Sequence, residues 1–518
     1  MKGERLFQLL GLIDEDLIGE AGRPPARRRF PVARLAACAA LVCLCGGAWL
    51  LRDSGLDEAS SADGGSGIAH DTEPVGAEGT VFMSYAGPVF PLTLLEDTDG
   101  ITAERHTVWD FTPGTYQDGS PRQWGAAVTD TYRLTNPTDA PITVTACYPV
   151  SGSLADAEEN APVITVDGAA QPLTLHAGAY AGGFTDAGLA DGSTWNLSGP
   201  NSWTDYQSLL EGGDYLAAAL ENVSPADIPV TVYAFSDYTL PDNAPDAATQ
   251  AIEFTIDPAA TTVLTCGING MSWDEDGGWR QYSYFVPNGI RREAGQKLLV
   301  VLGQDIGAYT LQGYEDGGCD PGEELPGVSC TVTRYETTLD AVLADLCEAC
   351  LNTYTQEQAE NWGTTPSVDA ELFLDKVTEL LRQYGFLSGD AMADRYSDGR
   401  LGTLISETLH QERVLYWTFP VTLPAGASVE VAVTLEKEPS FDYGCSGSDC
   451  VGLQGYDLVT RLGSTLDFTV QTAALTHTES IELADQSFGF DLEAGITEVT
   501  LDPDRDHYYL ELRLKAQT

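Results

Sequence analysis

Apolar and polar residues alternate with a period of two along most of this chain, which is the mark of strands with one face buried. Two such runs, 132–135 and 142–148, flank Asn136-Pro137-Thr138-Asp139, a turn-forming tetrapeptide, and the pattern predicts a hairpin. Further strand-like runs fall at 81–85, 89–94, 163–166, 230–235, 252–256, 262–266, 282–286 and 297–302, with a short helical excursion at 206–220. The period then changes. Residues 338–360, 367–384 and 402–411 read as helices. In the second, Leu372, Phe373, Val377, Leu380, Leu381 and Tyr384 share a face, with Ser367 as N-cap and Gly385 as stop. From Val414 strands resume at 415–421, 428–435, 465–472, 481–483, 496–501 and 508–514, and residues 424–427 form a turn. The pattern predicts a mainly β chain. It comprises a β-rich region over 79–335, a helical insert over 336–413 and a C-terminal region over 414–518, the β regions being of β-sandwich type.

One stretch departs from both periods. Residues 35–51 are seventeen uncharged, mostly apolar positions between Arg34 and Arg52. As a helix they extend about 25 Å, the lower limit for a bilayer core of roughly 30 Å. Arg27, Arg28, Arg29 and Arg34 precede the run, which predicts a single transmembrane helix with residues 1–34 in the cytoplasm and the C-terminal part outside the cell membrane. A cleaved signal peptide fits less well, because 34 residues precede the run and the nearest small-residue site, at Ser60-Ser61-Ala62, lies well past it. Cys38 sits in a lipobox-like string, but that string opens the apolar run instead of closing it. Before the span, Leu6, Leu10, Ile13 and Leu17 line one face of a short helix that is marginal alone in water and seeks a partner. After it, 52–78 is a Ser/Gly/Asp/Ala-rich flexible stalk.

Charge divides at the span. Residues 1–34 carry seven Lys/Arg against five Asp/Glu, and the rest carries 19 against 73, within a total of −52. A surface this acidic repels nucleic acid and anionic lipid, so nucleic-acid binding by the exterior part is excluded. It also raises calcium. Residues 95–106 fail the EF-hand pattern, with Leu95 and His106 where the first and twelfth ligands belong. Asp274, Asp276, Asp316 and Asp320 remain as calcium candidates in acidic turns, and no other cofactor is indicated.

Eight cysteines follow the span, an even number that permits full pairing. Cys319 with Cys330 and Cys445 with Cys450 are local candidates, and Cys147 with Cys266 a long-range one. Cys347 and Cys350 form a CxxC inside a helical pattern, a context that favours a structural disulfide over redox work. The six histidines form no metal-binding pair, and no GxSxG elbow or phosphate-binding loop occurs. Trp195, Trp203, Trp273 and Trp279 could line a glycan cleft, though core or loop packing is the favoured reading.

The string from Gly11 to Ala21, the arginines after it and the Ala/Cys/Leu-rich span resemble the start of single-pass membrane proteins of clostridial Gram-positive bacteria. Some of those resemble anti-sigma factors. The resemblance covers about the first 52 residues and implies a cytoplasmic regulator, such as a sigma factor, held by residues 2–20. The expected function is non-enzymatic: sensing, regulation or adhesion by an anchored exterior protein. An anchored enzyme acting on cell wall or glycans, and a structural envelope protein, are the alternatives.

Overall fold

A computed structural model describes residues 84–96, 100–112, 125–181, 200, 203–274, 276–289, 295–384, 387, 399–442 and 452–515. The tail with Leu6, Leu10, Ile13 and Leu17, the apolar run 35–51, the stalk, Trp195, Cys445 and Cys450 lie outside them. No helix among the described residues is long and apolar enough to cross a membrane.

The first segment holds β1 (Ser84–Tyr85), β2 (Thr93–Leu94), β3 (Thr102–Asp110), β4 (Ala126–Thr135), β5 (Ile142–Gly152), β6 (Val163–Val166), β7 (Ala169–Ala170) and β8 (Thr174–Ala177). Helices α1 (Trp203–Leu210) and α2 (Asp214–Leu220) follow. Next come β9 (Pro229–Thr239), β10 (Thr249–Thr255), β11 (Thr261–Cys266), β12 (Gly270–Trp273), β13 (Trp279–Phe285), β14 (Leu298–Gly303), β15 (Tyr309–Tyr314) and β16 (Ser329–Thr338). Three helices continue the chain, α3 (Leu339–Trp362), α4 (Ala370–Tyr384) and α5 (Leu401–His410). The last segment holds β17 (Arg413–Leu423), β18 (Ser428–Lys437), β19 (Phe441–Asp442), β20 (Leu453–Val459), β21 (Asp467–Thr476), β22 (Ile481–Gln486), β23 (Glu498–Thr500) and β24 (His507–Leu514).

The first and last segments build one body together. Its sheets run β23-β21-β3-β4-β18-β6-β7, β2-β5-β17-β8 and β1-β19-β20-β24-β22. Only the β21–β3 pairing among them is parallel. Inward positions at period two supply the shared core: Val128, Tyr132 and Leu134 from β4, Phe419 and Val421 from β17, Val431 and Val433 from β18, Leu510 and Leu512 from β24. The strands expected in two separate β regions therefore share sheets: the fold divides after β8 and again just before β17, next to the boundary drawn at 414, and not at 335.

The expected hairpin at 132–148 does not form. β4 pairs β3 and β18, whereas β5 pairs β17 and β2 in another sheet. Asn136 is the physical reason. Its side-chain amide donates to the carbonyls of Ala140, Leu423 and Pro424, at 2.9, 3.2 and 3.2 Å. That ties the corner to the 424–427 turn, where β17 passes to β18 and the chain again changes sheet. Two sheet-switching corners thus lie side by side and hold each other.

The segment between β8 and β17, a longer insert than the helical one expected over 336–413, forms a second β body of two four-stranded sheets, β11-β14-β9-β16 and β12-β13-β10-β15. Tyr233, Phe235, Leu299 and Val301 of the first meet Ile252, Phe254, Tyr282 and Tyr284 of the second. The other face of the first sheet, with Val230, Val232, Leu264, Leu298 and Val300, is covered by α3, α4 and α5. β14 is therefore buried on both faces, which explains its unbroken run Leu298-Leu299-Val300-Val301-Leu302. α3 is capped by Thr338, whose hydroxyl accepts from the Ala341 N–H, and ends at Gly363, where φ is 70° and a side chain would be strained. α4 is capped by Asp369, which accepts from the N–H groups of Glu371 and Leu372, and not by Ser367.

The six described cysteines are unpaired, contrary to the disulfides expected. Cys319 packs with Ala251 on the outer face of the second sheet, and Cys330 lies by Tyr284 on the inner face, so the sheet separates them. Cys147 packs under α1 and Cys266 against the helices of the insert, in different cores. Cys347 and Cys350 are three apart within a continuous helix, where Cβ atoms stand about 5–6 Å apart, beyond the roughly 3.5–4.5 Å of a disulfide. Alkylation of the denatured, unreduced protein is expected to modify all six. A mass spectrum showing any of them linked would contradict the structure.

Candidate functional site

The sequence places several charges at positions whose strand parity is apolar. In β18 the inward series is Val429, Val431, Val433, Leu435 and then Lys437, and Lys437 is indeed buried. Its ammonium donates to the Ala86 carbonyl at 2.9 Å. Ala86 is also held through its N–H by the Ser440 carbonyl, at 2.7 Å. Next to it Gly87 has φ of 69°, and a Cβ there would stand 1.8 Å from Ser151 Oγ and 2.9 Å from the Tyr206 hydroxyl. Only glycine lets this strap pass beneath the two hydroxyls, one from the end of β5 and one from α1.

Glu412, immediately before β17, completes the cluster. Burial pushes its carboxyl up to about 7, with the Asp156 charge adding to the rise and Lys437 and Arg413 opposing it. Burial brings Lys437 down to about 8, with Asp457 and Glu412 opposing that fall. Asp156 is exposed and accepts from Ser153 Oγ at 2.9 Å. Arg413, buried, donates to the carbonyls of Gly178 and Thr408 at 3.2 and 3.0 Å. The neighbouring Asp457 carboxylate binds His507 Nε2 at 2.8 Å, and Trp203 of α1 stacks on that imidazole with centroids 4.3 Å apart. A carboxyl and an amine adjusted towards neutrality, beside a second carboxylate, can take up and release protons near pH 7. None of Glu412, Lys437, Asp156, Ser151 and Tyr206 was singled out from sequence. The available signal was a lysine on the buried parity of β18.

The second β body offers a different surface. Trp273 at the end of β12 is 57% exposed, Tyr335 on β16 41% and Tyr309 on β15 37%. The Arg280 guanidinium lies 5.4 Å from the Trp273 ring centroid, a cation–π contact at the edge of the sheet. A groove of about 230 Å³ runs between α3 and the adjoining sheet, lined by Ala234, Gln296, Leu298, Tyr335, Val342 and Asp345.

The calcium candidates fall in two separate turns, and in one of them Asp316 Oδ1 and Asp320 Oδ2 both flank Gly318, 3.0 and 3.3 Å from where its Cβ would stand. Asp274 accepts from the Trp279 N–H at 3.1 Å and closes the β12–β13 turn, and Asp276 is exposed in that turn. Asp316 accepts from the Gly318 N–H at 2.8 Å, and Asp320 is exposed beyond it. Among the described residues no group of three or more His, Cys, Asp or Glu side chains is placed to hold a metal ion. Of the tryptophans considered for a cleft, Trp203, the first residue of α1, is buried, Trp279 is half-buried, and Trp273 faces solvent. No family model matches the chain, and neither a curated protein nor a solved structure matches it.

Proposed function

We propose that this chain is a membrane-anchored, exterior-facing binding protein whose second β body is the recognition module. The supporting observation is the exposure of Trp273, Tyr309 and Tyr335 on that one body, because exposed aromatics are a cost in water that recognition surfaces carry. The layered β bodies are read as β-sandwich-type modules, a scaffold that presents loops and edges to partners. Residues 35–51 anchor the protein in the membrane, and residues 2–20 hold a cytoplasmic regulator, such as a sigma factor, in an anti-sigma-like arrangement. Ligand engagement outside would thereby bear on that regulator.

A second reading, an anchored enzyme acting on cell wall or glycans, draws on Glu412 beside Asp156. A carboxyl near pKa 7 is protonated often enough at neutral pH to serve as a general acid, with a second carboxylate close by.

One experiment separates the two. Full-length protein in detergent micelles is titrated against a panel of peptidoglycan fragments and oligosaccharides, with tryptophan fluorescence and product analysis as readouts. The binding reading expects at least one probe to be bound unchanged, and Trp273→Ala to weaken it tenfold or more, as is usual for an aromatic anchor. Equal affinity of parent and W273A overturns it. Cleavage of a probe that disappears in Glu412→Gln establishes the enzyme instead.

A further inference from the structure

Strand β16 forms one edge of its sheet. It pairs with β9 along 229–239, and no other strand among the described residues pairs with it. It is ten residues long, contains no proline, and shows one irregularity, between Ser329 and Thr331. From Thr333 to Glu336 every residue is exposed. A long open edge of this kind is a template for another strand, and natural proteins commonly blunt it with a bulge, proline or lysine. The C-terminal half of β16 has none of these. Its only charges are Arg334 and Glu336, on either side of Tyr335.

This arrangement is self-complementary. Two copies of β16 laid antiparallel about Tyr335 place Tyr335 opposite Tyr335, Arg334 opposite Glu336 twice, and Thr333 opposite Thr337 twice. Shifting the register by one residue on either strand sets Arg334 against an uncharged residue and loses both opposite-charge pairs. Cross-strand pairs of these kinds each contribute about 0.2–1 kcal/mol, and like charges in the same places are unfavourable. An isologous pairing also needs only one surface patch. We infer that β16 is the edge through which two copies of this chain associate, by antiparallel pairing centred on Tyr335.

Charge favours a second copy over an unrelated acidic strand, because Arg334 in each chain meets a carboxylate supplied by the same sequence. Within one chain Arg334 already reaches Asp305 and Glu336, at 2.9 and 3.0 Å, and its planar fork has further donors for a second carboxylate. The five residues paired in each copy, 333–337, bury less than the roughly 1,000 Å² of a stable interface, so the association is weak in solution and is strengthened by any tether that concentrates the chains. It uses Tyr335, one of the three exposed aromatics, and needs neither Trp273 nor Tyr309.

The test uses the full-length chain in detergent micelles carrying Tyr335→Cys, with a mild thiol oxidant. The two-fold axis puts the two introduced Cβ atoms about 4.5–5.5 Å apart, within reach of a disulfide after small adjustment. A covalent dimer dependent on Y335C is expected above the level of the parent chain. Adding Arg334→Glu alone, or Glu336→Arg alone, opposes like charges and is expected to lower the dimer yield at least fivefold. Mixing the two charge variants restores both opposite-charge pairs in the heterodimer, and the yield is expected to recover to about half of that for Y335C alone or more. Near-ultraviolet circular dichroism confirms that each variant is folded. Absence of a Y335C-dependent dimer, unchanged yield in the single charge variants, or no recovery on mixing overturns the inference. A W273A background separates the two proposals, since it weakens ligand binding and leaves the cross-link unchanged.

Discussion

Asp130→Ala is expected to destabilise the protein by about 3–5 kcal/mol, the usual cost of removing one partner of a buried ion pair. Asp130 lies on the core face of β4 and is fully buried with Arg105 of β3. It accepts from Arg105 Nε and Nη2 at 2.9 and 2.8 Å and from Thr107 Oγ1 at 2.8 Å. The hydroxyls of Tyr132 and Tyr148 donate to Oδ2, the oxygen that Arg105 Nη2 also reaches, at 2.5 and 3.2 Å, while Arg105 Nε and Thr107 bond Oδ1. Burial holds both tyrosines well above the ordinary phenol range, so they stay protonated donors at any working pH. Arg105 also donates to the Val459 carbonyl at 2.6 Å and the Phe90 carbonyl at 3.0 Å. The pair thereby joins the seven-stranded sheet to the end of β20 and to the segment between β1 and β2. Without Asp130 the guanidinium remains buried with neutral carbonyl acceptors and no counter-charge. Urea denaturation measures the loss, and a change below about 1 kcal/mol would mean that water enters the site and solvates Arg105. The double variant Arg105→Met/Asp130→Leu is expected to recover part of the loss, since no charge is then left buried.

Glu412→Gln is expected to change how stability depends on pH. The folded carboxyl titrates at about 7 against an ordinary value of 4.5. Between those values the unfolded chain has released a proton that the folded protein keeps, so folding stability falls as pH rises and levels off above about 7. One pKa unit is worth about 1.4 kcal/mol, which bounds the loss near 3 kcal/mol. Glu412 is only half-buried, and water reduces this to about 1–2 kcal/mol. Lys437 has the opposite sign. Its folded value of about 8 lies below the ordinary 10.5, so the stability present above 10.5 is lost as pH falls through 8. Glutamine removes the first dependence and, by taking away one of the two carboxylates that hold Lys437 up, shifts the second to lower pH. Unfolding free energies should therefore match the parent at about pH 4 and exceed it by about 1–2 kcal/mol at about pH 8. Parallel pH profiles for parent and variant would show that Glu412 titrates as an ordinary surface carboxylate.

Local pattern was legible where local physics decides. The helix expected over 338–360 is found at Leu339–Trp362, because an apolar stripe, a threonine cap and a terminal glycine are all written within the segment. The excursion at 206–220 appears as α1 and α2. Strands β14 and β18 lie where apolar runs or strict alternation marked them. The hairpin at 132–148 was misread for a physical reason: Asn136-Pro137-Thr138-Asp139 is turn chemistry in either a hairpin or a sheet-switching corner. The deciding hydrogen bond reaches a carbonyl 287 residues away. The disulfide expectations went the same way. Spacing shows that two cysteines are near in the chain, and only the sheet between them shows that Cys319 and Cys330 are kept apart.

The sequence by itself determined the acidic balance, the apolar run at 35–51 as a candidate span, the strand-rich character and the three helices of the insert. Each depends on composition or on contacts within a few residues. Tertiary structure decided that strands before residue 178 and after residue 412 make one body, with the insert between β8 and β17. It also selected Glu412 and Lys437 from 104 charged side chains. Alternation fixes which face of a strand turns inward but carries no record of its neighbour. Glu412 and Lys437 shift their proton affinity chiefly because distant segments close over them and remove their water.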